Sequence, residues 1–153
     1  MYRVLVIDDE DGVRAGITRR LEREGYVVVP AATANEGIDI IRSADPPFDI
    51  IVTDMSIEDP EAGLRVLTAA FERDLLAEVI VMTAYGNVTN AVECMRRGAF
   101  DYIEKNAPGV DAYEILIIKI EQAMDQRRHD VRAVQRWERA ARIQEKRLAE
   151  REA

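Results

Sequence analysis

Five short runs of apolar, largely β-branched residues recur along the chain with helical segments between them, and this alternation limits the fold more than any other feature. The runs are RVLVID (3–8), YVVVP (26–30), DIIVTD (49–54), EVIVMT (78–83) and FDYIEK (100–105). They are apolar on both faces, as strands must be when helices cover a sheet on both sides. The segments between them, 11–25, 33–43, 62–74 and 87–98, carry apolar residues at helical spacing. Gly25 and Gly98 stand where a helix C-cap glycine belongs, and Thr33 with Glu36 has the spacing of a capping box. Repeated strand–helix units predict an α/β fold, a doubly wound parallel sheet with right-handed crossovers.

In such a sheet, ligands gather beyond the carboxyl ends of the strands. The first strand ends in Asp8 and Asp9, the third in Asp54, the fourth in Thr83-Ala84 and the fifth in Lys105. Three carboxylates, a hydroxyl and an ammonium would therefore converge on one crevice. The opening stretch VLVIDDEDG sharpens the point, because Asp8, Asp9, Glu10 and Asp11 follow a core strand without a break. Like charges packed so closely repel, so a cation is expected among them. Carboxylate oxygens in a partly wet site suit Mg²⁺, which keeps several waters and commonly meets a phosphate. An acid after one strand is an ordinary solvated turn residue; the coincidence across several strand ends is what argues for a site.

The chain has 153 residues, 48% of them hydrophobic and 33% charged, enough for a substantial core and unlike a disordered segment. A net charge of −8 argues against nucleic-acid binding by the chain as a unit. One cysteine, Cys94, excludes an internal disulfide and suggests a reduced, cytoplasmic setting. MYRVLVIDD leads directly into a strand, so no signal peptide is expected, and no apolar run is long enough to span a membrane. Charge is distributed unevenly. Residues 1–125 carry 12 basic and 24 acidic side chains, whereas 126–153 carry 9 and 5. That shift predicts a globular domain over 1–125 and a helical extension over 126–153.

Asp8-Asp9, IIVTDM with Asp54, VMTAYG with Thr83 and GAFDYIEK with Lys105 together resemble the receiver domain of two-component response regulators, over roughly residues 3–125. The resemblance implies a flavodoxin-like (βα)5 fold with strand order 2-1-3-4-5. It implies that Asp54 accepts a phosphoryl group from a histidine kinase, forming an acyl phosphate. Asp8, Asp9 and Asp54 would hold Mg²⁺, completed by the backbone carbonyl of Ser56, and Lys105 would pair with a phosphoryl oxygen. Thr83 and Tyr102 would act as the switch, the hydroxyl moving to the phosphoryl and the ring turning inward behind it. The output face would be the fourth helix, fifth strand and fifth helix. On this reading the chain is a signalling switch that catalyses its own phosphorylation and dephosphorylation and no metabolic enzyme.

Three departures from the family pattern carry expectations. Receivers usually follow the lysine with a proline and a cis peptide, but here Asn106 follows Lys105. Either a trans bond with a different loop or a strained cis bond is expected, because cis costs about 3 kcal/mol before a non-proline residue. The loop MSIEDPEAG lacks the usual Met-Pro, adds Glu58 and Asp59, and places Gly63 one residue late. Tyr85 borders the site and would shield the phosphoryl from water, giving a slow-hydrolysing phosphoform. Two rival readings stand beside the receiver. An aspartyl-nucleophile phosphatase would carry an acid two residues past Asp54, where Ser56 stands. A phosphorylation-independent pseudo-receiver would keep the fold as an interaction module, and the missing proline keeps that reading open.

Residues 111–153 contain neither glycine nor proline and are compatible with one long helix. Apolar residues keep a seven-residue step, Tyr113, Ile120, Arg127, Val134, Ala141 and Leu148 in one series and Ile117, Met124, Val131, Glu138 and Glu145 in the other. That is a coiled-coil seam with polar breaks. Ile115 and Ile118 give the helix a second apolar face. A homodimer, or an output domain or partner protein reached through this helix, is the expected use. His129, the sole histidine, reads as a surface residue, and Trp137 as a helix-interface anchor.

Overall fold

The computed structural model describes residues 2–55, 61–84 and 87–152. Ser56, Glu58, Asp59 and Tyr85, each named above, lie outside the described residues. The elements alternate as expected: β1 (Arg3–Ile7), α1 (Asp11–Arg23), β2 (Val27–Ala31), α2 (Ala34–Ser43), β3 (Ile50–Asp54), α3 (Ala62–Arg73), β4 (Glu78–Ala84), α4 (Thr89–Arg96), β5 (Asp101–Lys105) and α5 (Ala112–Glu152). All strand pairs are parallel, in the order β2-β1-β3-β4-β5. The flavodoxin-like architecture is thus the one the alternation and the resemblance imply.

Strand periodicity divides the core into two layers. Leu5, Ile7, Ile51, Val79 and Val81 pack under α2, α3 and α4 with Ile41, Val66, Leu67 and Cys94. Their neighbours Val4, Val6, Ile50, Val52 and Ile80 face α1 and α5, meeting Ile17, Leu21, Leu116, Ile120 and Met124. Alternate residues of one strand point to opposite faces, so an apolar run without alternation fills both layers. Helix ends follow local rules. The Thr33 hydroxyl accepts from the Glu36 N–H at 3.1 Å, while the Glu36 carboxylate reaches back one residue further, to the Ala32 N–H, also at 3.1 Å. Gly25 and Gly98 end α1 and α4 with φ of 94° and 105°, the left-handed region where a side chain is strained.

α5 is a single helix of 41 residues, about 60 Å long at 1.5 Å per residue. Its first turns are amphipathic and bury Leu116, Ile117, Ile120, Ala123 and Met124 on the sheet. Arg127, which the seven-residue step presents as a break in a seam, instead ties the helix to the base of the sheet. Its guanidinium donates to Asp49 Oδ1 at 2.9 Å and to the Leu76 carbonyl at 2.7 Å, and pairs with Asp74 Oδ2 at 3.0 Å. Beyond Val131 the helix projects, exposed at every position to Glu152 except the half-buried Ala141. No helix among the described residues is long and apolar enough to cross a membrane.

Candidate functional site

Asp8, Asp54, Thr83-Ala84 and Lys105 lie at the carboxyl edge of the sheet because each ends a buried parallel strand or directly follows one. Asp8 is fully buried and Asp54 is 1% exposed, while Asp9 and Glu10 are open to solvent. One oxygen from each of Asp8, Asp9, Glu10 and Asp54 falls within 4.8 Å of the others. Glu10 thus joins the three acids that the resemblance assigns to the metal, and its place in the unbroken acidic run is its signal in the sequence. Asp11, the last acid of that run, turns away and pairs with Arg14 at 2.7 Å. Arg14 also donates to the Asp8 carbonyl at 2.8 Å, which fixes the turn between β1 and α1.

Lys105 organises the buried part of the cluster. Its ammonium donates to Asp8 Oδ2 at 2.6 Å and to Asp54 Oδ2 at 2.9 Å. Glu10 lies 4.0 Å from the same nitrogen. Burial pushes the Asp8 carboxyl above its ordinary range, against the opposing hydrogen bonds from Lys105 and the Glu10 N–H. Burial pulls Lys105 the other way, but its hydrogen bonds to Asp8 and Asp54 outweigh that and leave its pKa raised. The two directions agree physically. Two buried carboxylates share one ammonium, so the lysine is firmly held charged while the acids remain short of positive charge.

That shortage is the observation against which a metal can be tested. The donors are all hard carboxylate oxygens, half of them buried and half wet, and this set fits Mg²⁺ with retained waters. The Ser56 carbonyl lies outside the described residues.

Asn106 adopts φ 59°, a left-handed conformation that asparagine tolerates better than most residues. The only cis peptide among the described residues is Asp45–Pro46, so the Lys105–Asn106 bond is trans and the loop turns by the left-handed residue instead. The lysine still reaches both acids. The Thr83 hydroxyl donates to the Asn87 carbonyl. Tyr102 is half-buried against the layer under α4. It also borders a groove with Ile115 and Lys119 of α5. Thr53 Oγ1 is the one buried side-chain polar atom among the described residues without a hydrogen-bond partner. Gly63 has a packing role, since a Cβ there would sit 2.3 Å from the Met55 sulfur, next to Asp54. Cys94 contacts that same sulfur at 3.5 Å, and burial pushes its thiol up to about 11, which leaves it unreactive.

A family profile described as the response regulator receiver domain matches residues 4–117. The photosynthetic apparatus regulatory protein RegA of Rhodobacter capsulatus is 31% identical over 143 residues, covering 93% of this chain and 76% of RegA. A putative response regulator, NtrX-like, of Rickettsia typhi (strain ATCC VR-144 / Wilmington) is 34% identical over 103 residues, 67% of this chain but only 21% of that protein. This chain therefore spans about a fifth of the NtrX-like relatives. Among solved structures, a response regulator receiver domain protein from Clostridium thermocellum aligns with a TM-score of 0.74 and 29% identity, over 84% of this chain and 98% of that one. The chain belongs to the response regulator receiver domain family, whose members act as signalling switches.

Proposed function

We propose that this protein is a phosphorylation-controlled receiver in which Asp54 is the phosphoryl acceptor. The observation that carries the reading is Lys105, whose ammonium is hydrogen-bonded at once to Asp8 and Asp54. A cation so placed orients the Asp54 carboxylate and stands beside any phosphoryl group that reaches it. A carboxylate oxygen of Asp54 attacks phosphorus, forming a P–O bond. The bond to the donor breaks, the P–N bond of a phosphohistidine on a histidine kinase, and the leaving imidazole keeps the electron pair. Hydrolysis reverses the gain when water attacks phosphorus, releasing inorganic phosphate and the free Asp54 carboxylate. Mg²⁺, held by Asp8, Asp9 and Asp54 with the Ser56 carbonyl and with Glu10 nearby, would neutralise charge on the phosphoryl oxygens.

The switch follows from what the modification offers. An acyl phosphate presents new acceptor oxygens, and the Thr83 hydroxyl then exchanges the Asn87 carbonyl for one of them. That lets Tyr102 turn inward behind Thr83, changing the face formed by α4, β5 and α5. Residues 1–125 act as the switch and 126–153 as the signalling extension, which meets a second copy, an output domain or a partner protein. The test is intact mass after incubation with Mg²⁺ and acetyl phosphate. One phosphoryl group gained, and lost with EDTA or in Asp54→Ala, supports the reading. No gain with bound Mg²⁺ favours an interaction module that has lost phosphotransfer, and sustained turnover of a phosphate ester favours a hydrolase.

A further inference from the structure

The projecting part of α5 carries an apolar stripe that the receiver body does not cover. At 100° per residue, Ala133, Val134, Trp137, Ala141, Gln144 and Leu148 share a strip about 100° wide, and the charged residues from 132 to 147 lie outside it. Val134 is 41%, Trp137 71% and Leu148 52% exposed. This seam is free of charge from 132 to 147, where the series through Glu138 and Glu145 is interrupted. Toward the receiver it continues through Asp130 and Gln126, which are hydrogen-bonded to each other at 2.9 Å. Those two residues rim an open cavity of about 630 Å³ at the base of the sheet, with Phe71, Leu75, Phe100 and Glu78. Leu75 there is 83% exposed. Further along the same side of α5, a second groove of about 390 Å³ lies between Tyr102, Ile115 and Lys119, beside Asp101 and Glu104.

We infer that the occupant is a second copy of this chain, its helix antiparallel, with Trp137 seated in the basal cavity and Leu148 in the groove beside Tyr102. The inference rests on the reading that a second copy pairs through this helix, and it assigns the mode of pairing. A two-fold axis near Ala133, a residue small enough for close approach, sets Trp137 of one copy level with residue 129 of the other. That level is the rim formed by Gln126 and Asp130. Leu148 then falls level with residue 118, beside the second groove. Knob and hole lie on the same chain, so the contact closes on itself as a two-fold interface requires. Charge favours the match. The extension carries a net +4 and the receiver a net −12. Arg136 and Arg147, on one flank of the stripe, come level with Asp130 at the first socket and with Glu104 and the Lys119-paired Asp101 at the second. The indole N–H also finds carboxylate acceptors at its socket. Because the second groove is walled by Tyr102, turning that ring inward on phosphorylation changes the seat of the partner's arm.

Trp137 is the sole tryptophan, so its fluorescence reports its own environment. The expected results on the full chain are a dimer by light scattering and a blue shift of emission as concentration rises. Trp137→Ala and Leu75→Arg should each weaken dimerisation roughly 30-fold or more, as loss of an interface anchor does. Under mild oxidation, a mixture of Trp137→Cys and Leu75→Cys proteins should form the mixed disulfide. A parallel pairing would instead link Trp137→Cys to itself. A dimer with that self-link, no mixed link and unchanged emission overturns the antiparallel seat but leaves pairing through the helix standing. A monomer at every concentration overturns both.

Discussion

Both ends of the sheet hold a cation between two carboxylates, and they do so differently. At the carboxyl edge Lys105 joins Asp8 and Asp54 in a nearly dry setting, the lysine side chain 10% exposed and the acids 0% and 1%. At the base Arg127 joins Asp49 and Asp74 in a wetter one, with side-chain exposures of 16%, 20% and 20%. An ammonium is a compact point charge on a flexible stem, able to shift from carboxylate to phosphoryl oxygen, whereas a guanidinium is a planar fork that fixes the geometry of what it binds. Asp49 is held from two sides, since its second oxygen accepts the Arg3 N–H at 2.8 Å. On the proposed function the upper pair is rearranged when a phosphoryl group arrives, whereas the lower holds α5 at a set angle to the sheet.

Removing either cation should break the symmetry of the comparison. Lys105→Met leaves two buried carboxylates without their ammonium and should destabilise the fold by about 3 kcal/mol at neutral pH. Urea melts should show that loss with EDTA and a partial recovery with Mg²⁺, because a divalent cation can replace the missing charge. Arg127→Ala should cost less, about 2 kcal/mol, since its partners are part-solvated. It should leave phosphoryl acceptance unchanged while loosening the base of α5, seen as faster amide exchange near residues 124–130.

Protons sharpen the contrast at the base. Burial, with Asp130 adding to it and Arg127 opposing, pushes the Glu78 carboxyl from 4.5 to about 7. Between those values the folded state holds a proton that the unfolded chain has released, so Glu78 makes stability fall as pH climbs through that window. Glu78→Gln should flatten the decline by roughly 2 kcal/mol, read from urea melts at pH 5 and pH 8. The smallest effect belongs to the upper end. Thr53 Oγ1 is buried without a partner, so Thr53→Val should be neutral or stabilising by up to about 1 kcal/mol in chemical denaturation.

The two ends also differ in how much of them a sequence reveals. Asp8, Asp54 and Lys105 are legible because each closes an apolar run, and a parallel sheet sends such residues to one edge. Glu10 joins them only through the backbone turn after β1, which strand-end logic does not reach. Arg127 is illegible for a different reason. Its partners Asp49, Asp74 and Leu76 lie far away in sequence, and in the seven-residue step it reads as a flaw in a seam. Only the helix packed on the sheet shows it as an anchor. The loop after Lys105 lies between these cases. The absent proline raises the question, and the left-handed Asn106 answers it with a trans bond that keeps the lysine aimed at both acids.

On the proposed function the upper cation acts in phosphoryl transfer and the lower one only in structure. The most direct test exchanges the two cation types without changing charge, and follows Asp54 phosphorylation by intact mass with Mg²⁺ and acetyl phosphate. Lys105→Arg should slow the gain of one phosphoryl group about 100-fold or more, because the fork cannot take the place of the compact ammonium. Arg127→Lys should phosphorylate at the wild-type rate and melt at a lower temperature. A Lys105→Arg protein that keeps the wild-type rate, or an Arg127→Lys protein that loses it, would contradict the division between the two ends.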